Sequence, residues 1–345
     1  FEEVQLAEKL ILLHPWAKMV RFAKTGGEAC SIAIRIARAT SGKDKIAFCG
    51  YHGWHDWYLS SNLKNSQNLD EQLLPGLNPK GVPKNLNETS LPFKFNDIDS
   101  FNKVIEKNKN EIGTIIMEPQ RRGEIPKEGF LKHIKDTAKK IGAVLIFDEI
   151  TIGFHDNLGG KHLSLGINPD VAIFSKAMGN GFPIAAIVGK KEVMDVAQDT
   201  FVSSTMWTER IGFIAALATI KKMEEKSVQK KLIQYGKIIK NGWQEISNKT
   251  NIKIKISGLD SMPSFSFVHK KALTINTFFI QEMLKNGYLA QTGLATSFVY
   301  TNKIIDGYLT SVNRTFQKMT DFVNNDNIKL PLKGPIKHAS FRRIT

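Results

Sequence analysis

Five mainly apolar runs of strand length constrain the fold of this chain more than any other feature of its sequence. They lie at 44–50, 112–119, 143–149, 170–176 and 184–190. Each run is continuous rather than alternating, which is typical of strands covered on both faces. Segments with helical periodicity separate several of these runs. The alternation of strand and helix predicts right-handed crossovers and an α/β fold, with a mostly parallel central sheet flanked by helices.

Capping residues mark the ends of the helices between these runs. A helix predicted over 28–40 is followed by Gly42, and one over 128–141 is followed by Gly142. Glycine is favoured there because it accepts the left-handed conformation that ends a helix. Asp97 precedes a predicted helix whose first amides its carboxylate can cap. Ligands of such sheets bind at the carboxyl ends of the strands, so residues that follow the runs are functional candidates.

The pattern changes after Thr208 and predicts a second, smaller unit. Two long helices are expected at 209–225 and 228–248, with Ser227 as the N-cap of the second. Two short strands and two further helices complete a small C-terminal α+β domain. We place the domains at 1–215 and 216–345.

Composition limits the partners and the location of the protein. Its 345 residues carry a formal net charge of +15, but the lysines are spread over amphipathic helices and form no basic stripe interleaved with aromatic residues. No nucleic-acid partner is therefore predicted. No apolar run reaches the ~18 residues of a membrane span, so no membrane association is predicted either. Two cysteines, Cys30 and Cys49, suggest no disulfide framework and favour the cytoplasm.

Asp148, at the end of a predicted buried strand, allows two interpretations. The first is a Walker-B acid that holds Mg²⁺, but the sequence contains no G-x-x-x-x-G-K-[ST] loop to partner it. The second is an acid that pairs with a cationic ring. Lys176 follows 28 residues later, at the end of another run. A lysine and an acid that converge on one crevice are what pyridoxal phosphate requires, because the lysine forms an imine and the acid keeps the ring nitrogen protonated.

Two further motifs belong to the same predicted edge of the sheet. The stretch KTGGEA, 24–29, is a glycine turn that opens a helix, where amides and the helix dipole favour a phosphate. The stretch YHGWHDW, 51–57, supplies aromatic rings that can stack on a planar cofactor. Zinc held by His52 and His55 is an alternative, but no third ligand has a convincing spacing and we predict no metal.

These motifs together resemble the class III aminotransferases of fold type I, pyridoxal-phosphate enzymes that include ω-amino acid aminotransferases and glutamate-1-semialdehyde aminomutase. The resemblance runs from about Val4 to the C-terminus. It is carried by KTGGEA, YHGWHD, MEP at 117–119, LIFDEI, SKAMGNGFPIAAIVG and SSTMWTER. It implies the cofactor pyridoxal 5′-phosphate, a small-molecule amino donor and a carbonyl acceptor.

The resemblance also implies roles for the two principal residues and for the phosphate site. Lys176 corresponds to the lysine that forms the internal aldimine and then moves the proton. Asp148 corresponds to the acid on the pyridine nitrogen, and Gly26 and Gly27 to the phosphate-binding turn. Thr205 corresponds to a threonine that reaches the phosphate of the neighbouring subunit, which implies a homodimer with shared active sites.

Four more positions match residues around the cofactor ring in the family. Ile150 takes the place of the branched residue that packs on one ring face, and Tyr51 that of the aromatic residue on the other. His52 follows this aromatic residue and is expected to support its orientation. Glu118 corresponds to an acid at the edge of the cofactor.

The chain departs from the family pattern in two respects. The phosphate turn of the family usually has Ser-Gly-Ser/Thr, whereas Thr25, Gly26 and Gly27 stand here, so one hydroxyl is missing; Lys24 also stands where Asn is usual. The family has an N-terminal segment that is expected upstream of Phe1, and this segment helps to build the small domain and the substrate pocket.

The motifs favour an aminotransferase that moves an amino group between a donor and a keto or aldehyde acceptor. Two alternatives stay open. One is glutamate-1-semialdehyde 2,1-aminomutase, which moves the amino group within one molecule in tetrapyrrole synthesis and whose branch the overall pattern resembles. The other is a catalytically degenerate scaffold dimer, against which we set the retention of Asp148 and of a buried lysine, Lys176.

Overall fold

The apolar runs form strands of one seven-stranded sheet in the structure, a computed structural model that describes residues 1–121, 123–325 and 329–341. The strands are β1 (Met19–Ala23), β2 (Lys45–Cys49), β3 (Ser90–Pro92), β4 (Ile112–Met117), β5 (Val144–Asp148), β6 (Val171–Phe174) and β7 (Ala185–Gly189). Their spatial order is β1-β7-β6-β5-β4-β2-β3. Strand β7 is antiparallel to both of its neighbours, and the other neighbouring pairs are parallel. Six strands therefore point the same way, which confirms the predicted mostly parallel sheet.

Helices cover this sheet and cap as the sequence indicates. They are α1 (Glu2–Leu13), α2 (Gly26–Ser41), α3 (Asp56–Leu59), α4 (Ile98–Asn108), α5 (Phe130–Ile141), α6 (Lys161–Leu165), α7 (Lys191–Met194) and α8 (Arg210–Lys226). Gly42 and Gly142 end α2 and α5 in the left-handed conformation. Asp97 caps α4 by accepting a hydrogen bond from the Ser100 amide at 2.8 Å.

Residues of each central strand alternate between two hydrophobic cores. On β5, Val144 and Ile146 join the core that contains α2, whereas Leu145 and Phe147 join the core that contains α5. Because both faces are buried, the positions from Val144 to Phe147 are all apolar. Full burial of one such side chain contributes about 1.5–3 kcal/mol, so the layered sheet is the main source of stability in this part of the chain.

The shared direction of six strands decides where functional residues meet. The carboxyl ends of β1, β2, β4, β5 and β6 all lie at one edge of the sheet. Gly26 follows β1, Tyr51 follows β2, Asp148 ends β5 and Lys176 follows β6. Positions that are far apart in the sequence are thereby brought to one side of the fold.

The C-terminal part is a smaller α+β unit with a core of its own. It contains α9 (Val228–Thr250), an antiparallel pair of β8 (Ile254–Gly258) and β9 (Pro263–Phe267), α10 (Ala272–Lys285) and α11 (Asn302–Asn324). Trp243, Phe279 and Phe316 are fully buried in its core. Ser227 occupies the N-cap position of α9 as predicted, but its φ is +47° and its side chain makes no capping hydrogen bond.

Contacts between residues divide the described chain into two units. The first contains 1–121 and 125–226, and the second contains 123–124 and the described residues of 227–341. The division at 215–216 inferred from the sequence remains a prediction, and α8 spans that boundary. Among the residues that the structure describes, no helix has the length and apolar character needed to cross a membrane.

Candidate active site

A cavity of about 610 Å³ opens at the carboxyl edge of the seven-stranded sheet. Seven of the nine residues that the sequence singles out for the cofactor line it: Gly26, Gly27, Tyr51, His52, Asp148, Ile150 and Lys176. They come from the ends of four different strands and the turns beyond them. The structure thus brings together the motifs that the sequence only placed at the same predicted edge.

The glycine turn forms the wall of this cavity where α2 begins. Thr25 is the N-cap of α2; its hydroxyl accepts a hydrogen bond from the Glu28 amide at 3.3 Å, and Glu28 completes a capping box. The amides of Gly26 and Gly27 open the helix and therefore have no acceptor within it. A Cβ added to Gly26 would lie 2.9 Å from Ile150 Cδ1, so the Ile150 side chain would have to shift to admit any other residue at position 26. The turn offers a cradle for an anion.

Asp148 lies at the floor of the cavity and accepts three hydrogen bonds. His52 donates from Nδ1 to Oδ2 at 2.8 Å, the Cys30 thiol lies 3.5 Å from the same oxygen, and the Ile150 amide donates to Oδ1 at 3.0 Å. The Asp148 side chain is only 4% exposed. Burial raises the pKa of Cys30, and the nearby Asp148 carboxylate raises it further, so Cys30 donates as a neutral thiol.

Lys176 reaches the cavity from the turn after β6, but the expectation of a buried lysine is wrong. Its side chain is exposed to the open cavity, and Nζ donates to Thr151 Oγ1 at 2.9 Å. Its φ of +40° lies in the left-handed region that residues with a Cβ rarely adopt. Such a backbone conformation costs of order 1–3 kcal/mol and is typical of functional sites, which supports a special role for this turn.

Tyr51 and Ile150 form two further parts of the wall. Tyr51 is 40% exposed, and its ring meets the ring of Tyr58 edge to face at 5.8 Å between centroids. Burial raises the pKa of Tyr51, with smaller contributions from Cys30 and Asp148, so its phenol is neutral at ordinary pH. An aromatic face and a branched aliphatic side chain suit a flat ligand.

Two of the predicted residues, Glu118 and Thr205, do not line this cavity. Glu118 instead accepts a hydrogen bond from Arg121 Nε at 2.9 Å, and burial raises its pKa. Thr205 is exposed and begins a short 3₁₀ helix, although Ser204 and Met206 on either side of it contribute to the lining. Neither residue can therefore be assigned to the cavity of its own chain.

Sequence reasoning missed two residues that touch the principal ones. Thr151 contacts Lys176 and Cys30 contacts Asp148, at separations of 25 and 118 residues. Cys30 is fully buried on the face of α2 that packs on the sheet. A thiol on the apolar face of the predicted helix was the feature of the sequence that could have identified it. Thr151 lies three residues beyond the predicted strand-end acid, which was a weaker signal.

The metal-ion alternative takes a different form from the one that the sequence raised. Cys30, His52 and Asp148 bring three atoms that could bind a metal within 4.8 Å of one another, and His55 is not part of this group. His52 already donates its Nδ1 proton to Asp148, so the three side chains form a hydrogen-bonded group as they stand. The absence of a metal site stays a prediction.

The cavity fits pyridoxal phosphate by the chemistry of its residues. Free amides at the start of α2 suit the phosphate, and Asp148 suits a protonated ring nitrogen. Within the described part of the chain, two buried atoms of residues that line this cavity, His52 Nε2 and His55 Nδ1, have no hydrogen-bond partner. Buried polar atoms without a partner require an explanation, and a bound polar ligand provides one for an atom at a cavity.

Comparison with known proteins identifies the family. The model of the family "Aminotransferase class-III" matches residues 1–313. Over 273 residues the chain is 35% identical to a 3-aminobutyryl-CoA aminotransferase of Cloacimonas acidaminovorans, and the aligned region covers 77% of this chain and 62% of that protein. Over 280 residues it is 34% identical to a glutamate-1-semialdehyde 2,1-aminomutase of Methanocaldococcus jannaschii, and the aligned region covers 79% of this chain and 64% of that protein. The chain thus spans just under two thirds of the length of these relatives.

Solved structures show the same fold. The FumI protein of Sphingopyxis sp. MTA144, in its PLP internal aldimine form, superposes with a TM-score of 0.83 at 23% identity over 93% of this chain and 76% of that one. An omega-transaminase from Sphaerobacter thermophilus gives 0.81 at 24% identity over 92% and 78%. The Walker-B interpretation of Asp148 is therefore wrong: the chain belongs to the class-III aminotransferase family, whose enzymes use pyridoxal 5′-phosphate.

Proposed function

We propose that the protein is a pyridoxal-phosphate-dependent aminotransferase that moves an amino group between an amino donor and a keto or aldehyde acceptor. One observation carries the proposal. Lys176, Asp148 and the Gly26–Gly27 turn, which sequence reasoning assigned to three parts of the cofactor, line a single cavity. A reactive amine, an acid and an anion cradle in that arrangement match what this cofactor needs.

Lys176 is the proposed nucleophile and proton carrier. Pyridoxal phosphate, when bound, supplies an aldehyde and a ring that withdraws electrons from the substrate carbon. The Nζ of Lys176 is held by Thr151 at 2.9 Å and is otherwise open to the cavity. An amine placed in this way would hold the cofactor through its aldehyde group and would be positioned to move a proton within the site.

Asp148 is proposed to bind the protonated ring nitrogen. Its carboxylate is fixed by His52 Nδ1 and by the Ile150 amide, so it is aimed before the cofactor arrives. Preorganised charge of this kind stabilises a developing positive partner without reorganisation. Tyr51 and Ile150 then bound the ring, while Glu118 acts from outside the cavity, next to the site rather than on the cofactor.

Covalent labelling tests this assignment. The purified chain loaded with cofactor should be yellow, and borohydride should remove the colour and fix the cofactor to the peptide that contains Lys176. Lys176→Ala should abolish turnover. Lys190→Ala, which removes a half-buried lysine that follows β7 and pairs with Asp170, serves as the lysine control. Label on a different lysine, or a folded protein without chromophore, would contradict the proposal.

An aminomutase is a second candidate function, favoured by one observation. Relatives named glutamate-1-semialdehyde 2,1-aminomutase are 33–37% identical to this chain. The two functions differ in whether the amino group leaves with one product or returns to the same carbon skeleton. Mixing loaded protein with single amino acids and, separately, with an aminoaldehyde distinguishes them. Stoichiometric release of a keto acid supports the transaminase, and rearrangement without a second substrate supports the aminomutase.

We also propose a homodimer with shared active sites. Thr205 is exposed, lies outside the cavity of its own chain and is anchored by neighbours: Arg21 donates to the Val202 carbonyl at 2.7 Å, and Trp207 donates to Glu28 at 3.1 Å. A fixed, outward hydroxyl suits a phosphate held by another subunit.

Subunit mixing tests the shared site. In a heterodimer of Thr205→Ala and Lys176→Ala chains, one site takes both defects and the other takes neither. Activity should therefore return when the two inactive or weakened homodimers exchange subunits. If nothing returns although exchange is verified, Thr205 acts within its own chain.

The remaining proposals concern location and the scaffold alternative. Cys30 and Cys49 are buried and form no disulfide, which suits the cytoplasm, and localisation of a tagged chain tests this. A catalytically degenerate scaffold would show no turnover with any amino donor even if Lys176 is labelled, so turnover of the labelled protein decides for or against it.

A further inference from the structure

The missing hydroxyl of the phosphate turn has a structural counterpart in His55. A Cβ added to Gly27 would lie 2.9 Å from His55 Cε1 and 3.0 Å from His55 Nδ1. The imidazole therefore occupies the space that a serine or threonine side chain at position 27 would need. The absence of a side chain at Gly27 leaves the space that the His55 ring fills.

The backbone brings this imidazole to the turn. Gly53 has a φ of +103°, and a Cβ on it would lie 2.9 Å from the Cα of Gly27, so the two glycines are in backbone contact. His55 follows two residues later as the N-cap position of α3, and its ring stacks on Trp54 with 4.7 Å between centroids and 16° between planes. The ring is thus held in place from its own segment.

The polar atom next to Gly27 lacks a partner. His55 Nδ1 is buried and has no hydrogen-bond partner among the described residues, although His55 lines the cavity. A buried ring nitrogen left unpaired costs free energy, which a ligand with the right acceptor would recover. A phosphate oxygen is such an acceptor, and the Gly26–Gly27 turn beside this ring begins α2, where free amides favour an anion.

We propose that His55 replaces the hydroxyl that the turn lacks at position 27 and donates a hydrogen bond from Nδ1 to the phosphate of the cofactor. This inference rests on the proposed function, since it takes the Gly26–Gly27 turn as the phosphate site. It makes His55 a cofactor-binding residue and assigns the second histidine of YHGWHDW to the phosphate rather than to zinc.

The test compares two ligands that differ only in the phosphate. Apoprotein is titrated with pyridoxal 5′-phosphate and with pyridoxal, and the ratio of the two dissociation constants is measured for the parent and for His55→Ala. A lost hydrogen bond to a charged group should weaken pyridoxal phosphate roughly 10- to 100-fold and leave pyridoxal nearly unchanged. Equal weakening of both ligands, or of neither, overturns the inference.

A second pair of variants tests the replacement itself. Gly27→Ser alone should weaken pyridoxal phosphate, because its Cβ collides with the His55 ring. Gly27→Ser combined with His55→Ala restores a hydroxyl and removes the collision, so its affinity should recover to within a few-fold of the parent. Additive losses in the double variant overturn the inference.

Two controls separate failure of this inference from failure of the proposed function. The unfolding temperature of each apoprotein is measured, and if His55→Ala is unstable, His55→Asn, which keeps an amide donor, should retain part of the phosphate discrimination. Borohydride labelling is run on the same samples. Normal labelling of Lys176 with an unchanged ratio overturns only the role of His55, whereas a parent protein without label at Lys176 overturns the proposed function.

Discussion

Two consecutive acids at the end of β5, Asp148 and Glu149, each pair with a buried histidine, but the two pairs lie in different surroundings. Asp148 pairs with His52 at 2.8 Å and Glu149 pairs with His162 at 2.6 Å. All four side chains are at most 4% exposed. The two acids separate because successive residues of a strand point to opposite faces of the sheet.

The two pairs differ in what the other nitrogen of each histidine does. His162 Nε2 accepts a hydrogen bond from Trp16 Nε1 at 3.0 Å, which fixes the proton on Nδ1. The amides of Lys161 and His162 also donate to Glu149, so that pair is closed by protein groups alone. His52 Nε2 has no partner in the described chain, and Asp148 borders a cavity. The closed pair is therefore expected to serve the architecture and the open pair to serve chemistry.

The largest effect that this comparison predicts is on activity at the open pair. Asp148→Asn removes the charge that would hold the ring nitrogen protonated, and kcat should fall roughly 10³-fold, about 4 kcal/mol in the barrier. The unfolding temperature should change little, because His52 Nε2 has no partner among the described residues, so the His52 proton can move there and Nδ1 can accept from the new amide. Steady-state turnover of folded, cofactor-loaded protein measures this. Turnover within a few-fold of the parent would assign Asp148 to the architecture as well.

Glu149→Gln is the matched change at the closed pair, and its effect should fall on stability. Glutamine keeps one acceptor oxygen but turns its amide NH2 group towards groups that donate to Glu149. The free energy of unfolding should therefore fall by roughly 3 kcal/mol. The variant is followed by chemical unfolding, and kcat per loaded site should stay within a few-fold of the parent. A loss of kcat comparable to that of Asp148→Asn, with stability unchanged, would contradict the division between the two pairs.

The positions of both acids could be predicted from the sequence, but their partners could not. A run such as 143–149 predicts a buried strand because both faces exclude water, and a parallel sheet then collects strand ends at one edge. That argument located Asp148 and Lys176, whereas the glycine turn was recognised by its own pattern, as a turn that opens a helix. It says nothing of which side chains touch, since His52 and Cys30 reach Asp148 across separations of 96 and 118 residues.

Strand β1 and the exposure of Lys176 were also not predicted from the sequence, and each has a physical reason. Strand β1 was not predicted because its five residues include Arg21 and a half-buried start, so its pattern is weak. It pairs antiparallel with β7 and carries the glycine turn to the functional edge. Lys176 was expected to be buried because the strand before it is, but the chain turns there with a positive φ and opens into the cavity.

The closed pair should also make the fold sensitive to acid through its neighbour His14. The His14 ring stacks on His162 at 5.5 Å, and burial lowers the pKa of His14 to about 4, with a small further decrease from His162. The folded pKa lies below the value of about 6.5 in the unfolded chain, so the unfolded state binds more protons between pH 4 and 6.5. This contribution to stability is complete above pH 6.5 and is lost as the pH falls.

Between pH 7 and pH 5 the loss due to His14 should be about 2 kcal/mol. Urea unfolding of the parent and of His14→Phe at both values measures it, because the variant lacks the titrating group but keeps a ring against Phe174. The variant should show a correspondingly smaller drop. Equal drops in both proteins would mean that His14 is not held neutral by the fold.

The smallest predicted effect is at Trp16, whose indole completes the closed pair. Trp16→Phe keeps an aromatic ring beside His162 but removes the donor to Nε2, so folding should lose about 1 kcal/mol. The loss should leave kcat unchanged, because Trp16 contributes to the Glu149 side of β5 and does not line the cavity. Chemical unfolding at pH 7 measures the loss of folding free energy, and turnover per loaded site measures kcat.

Trp16→Phe also leaves His162, like His52, with an unpaired Nε2. If an unpaired nitrogen alone made a pair functional, Trp16→Phe would change the absorption spectrum or the cofactor affinity of the protein. We expect neither to change, because His162 faces the core around Phe147 and Phe174 and does not line the cavity that contains Asp148.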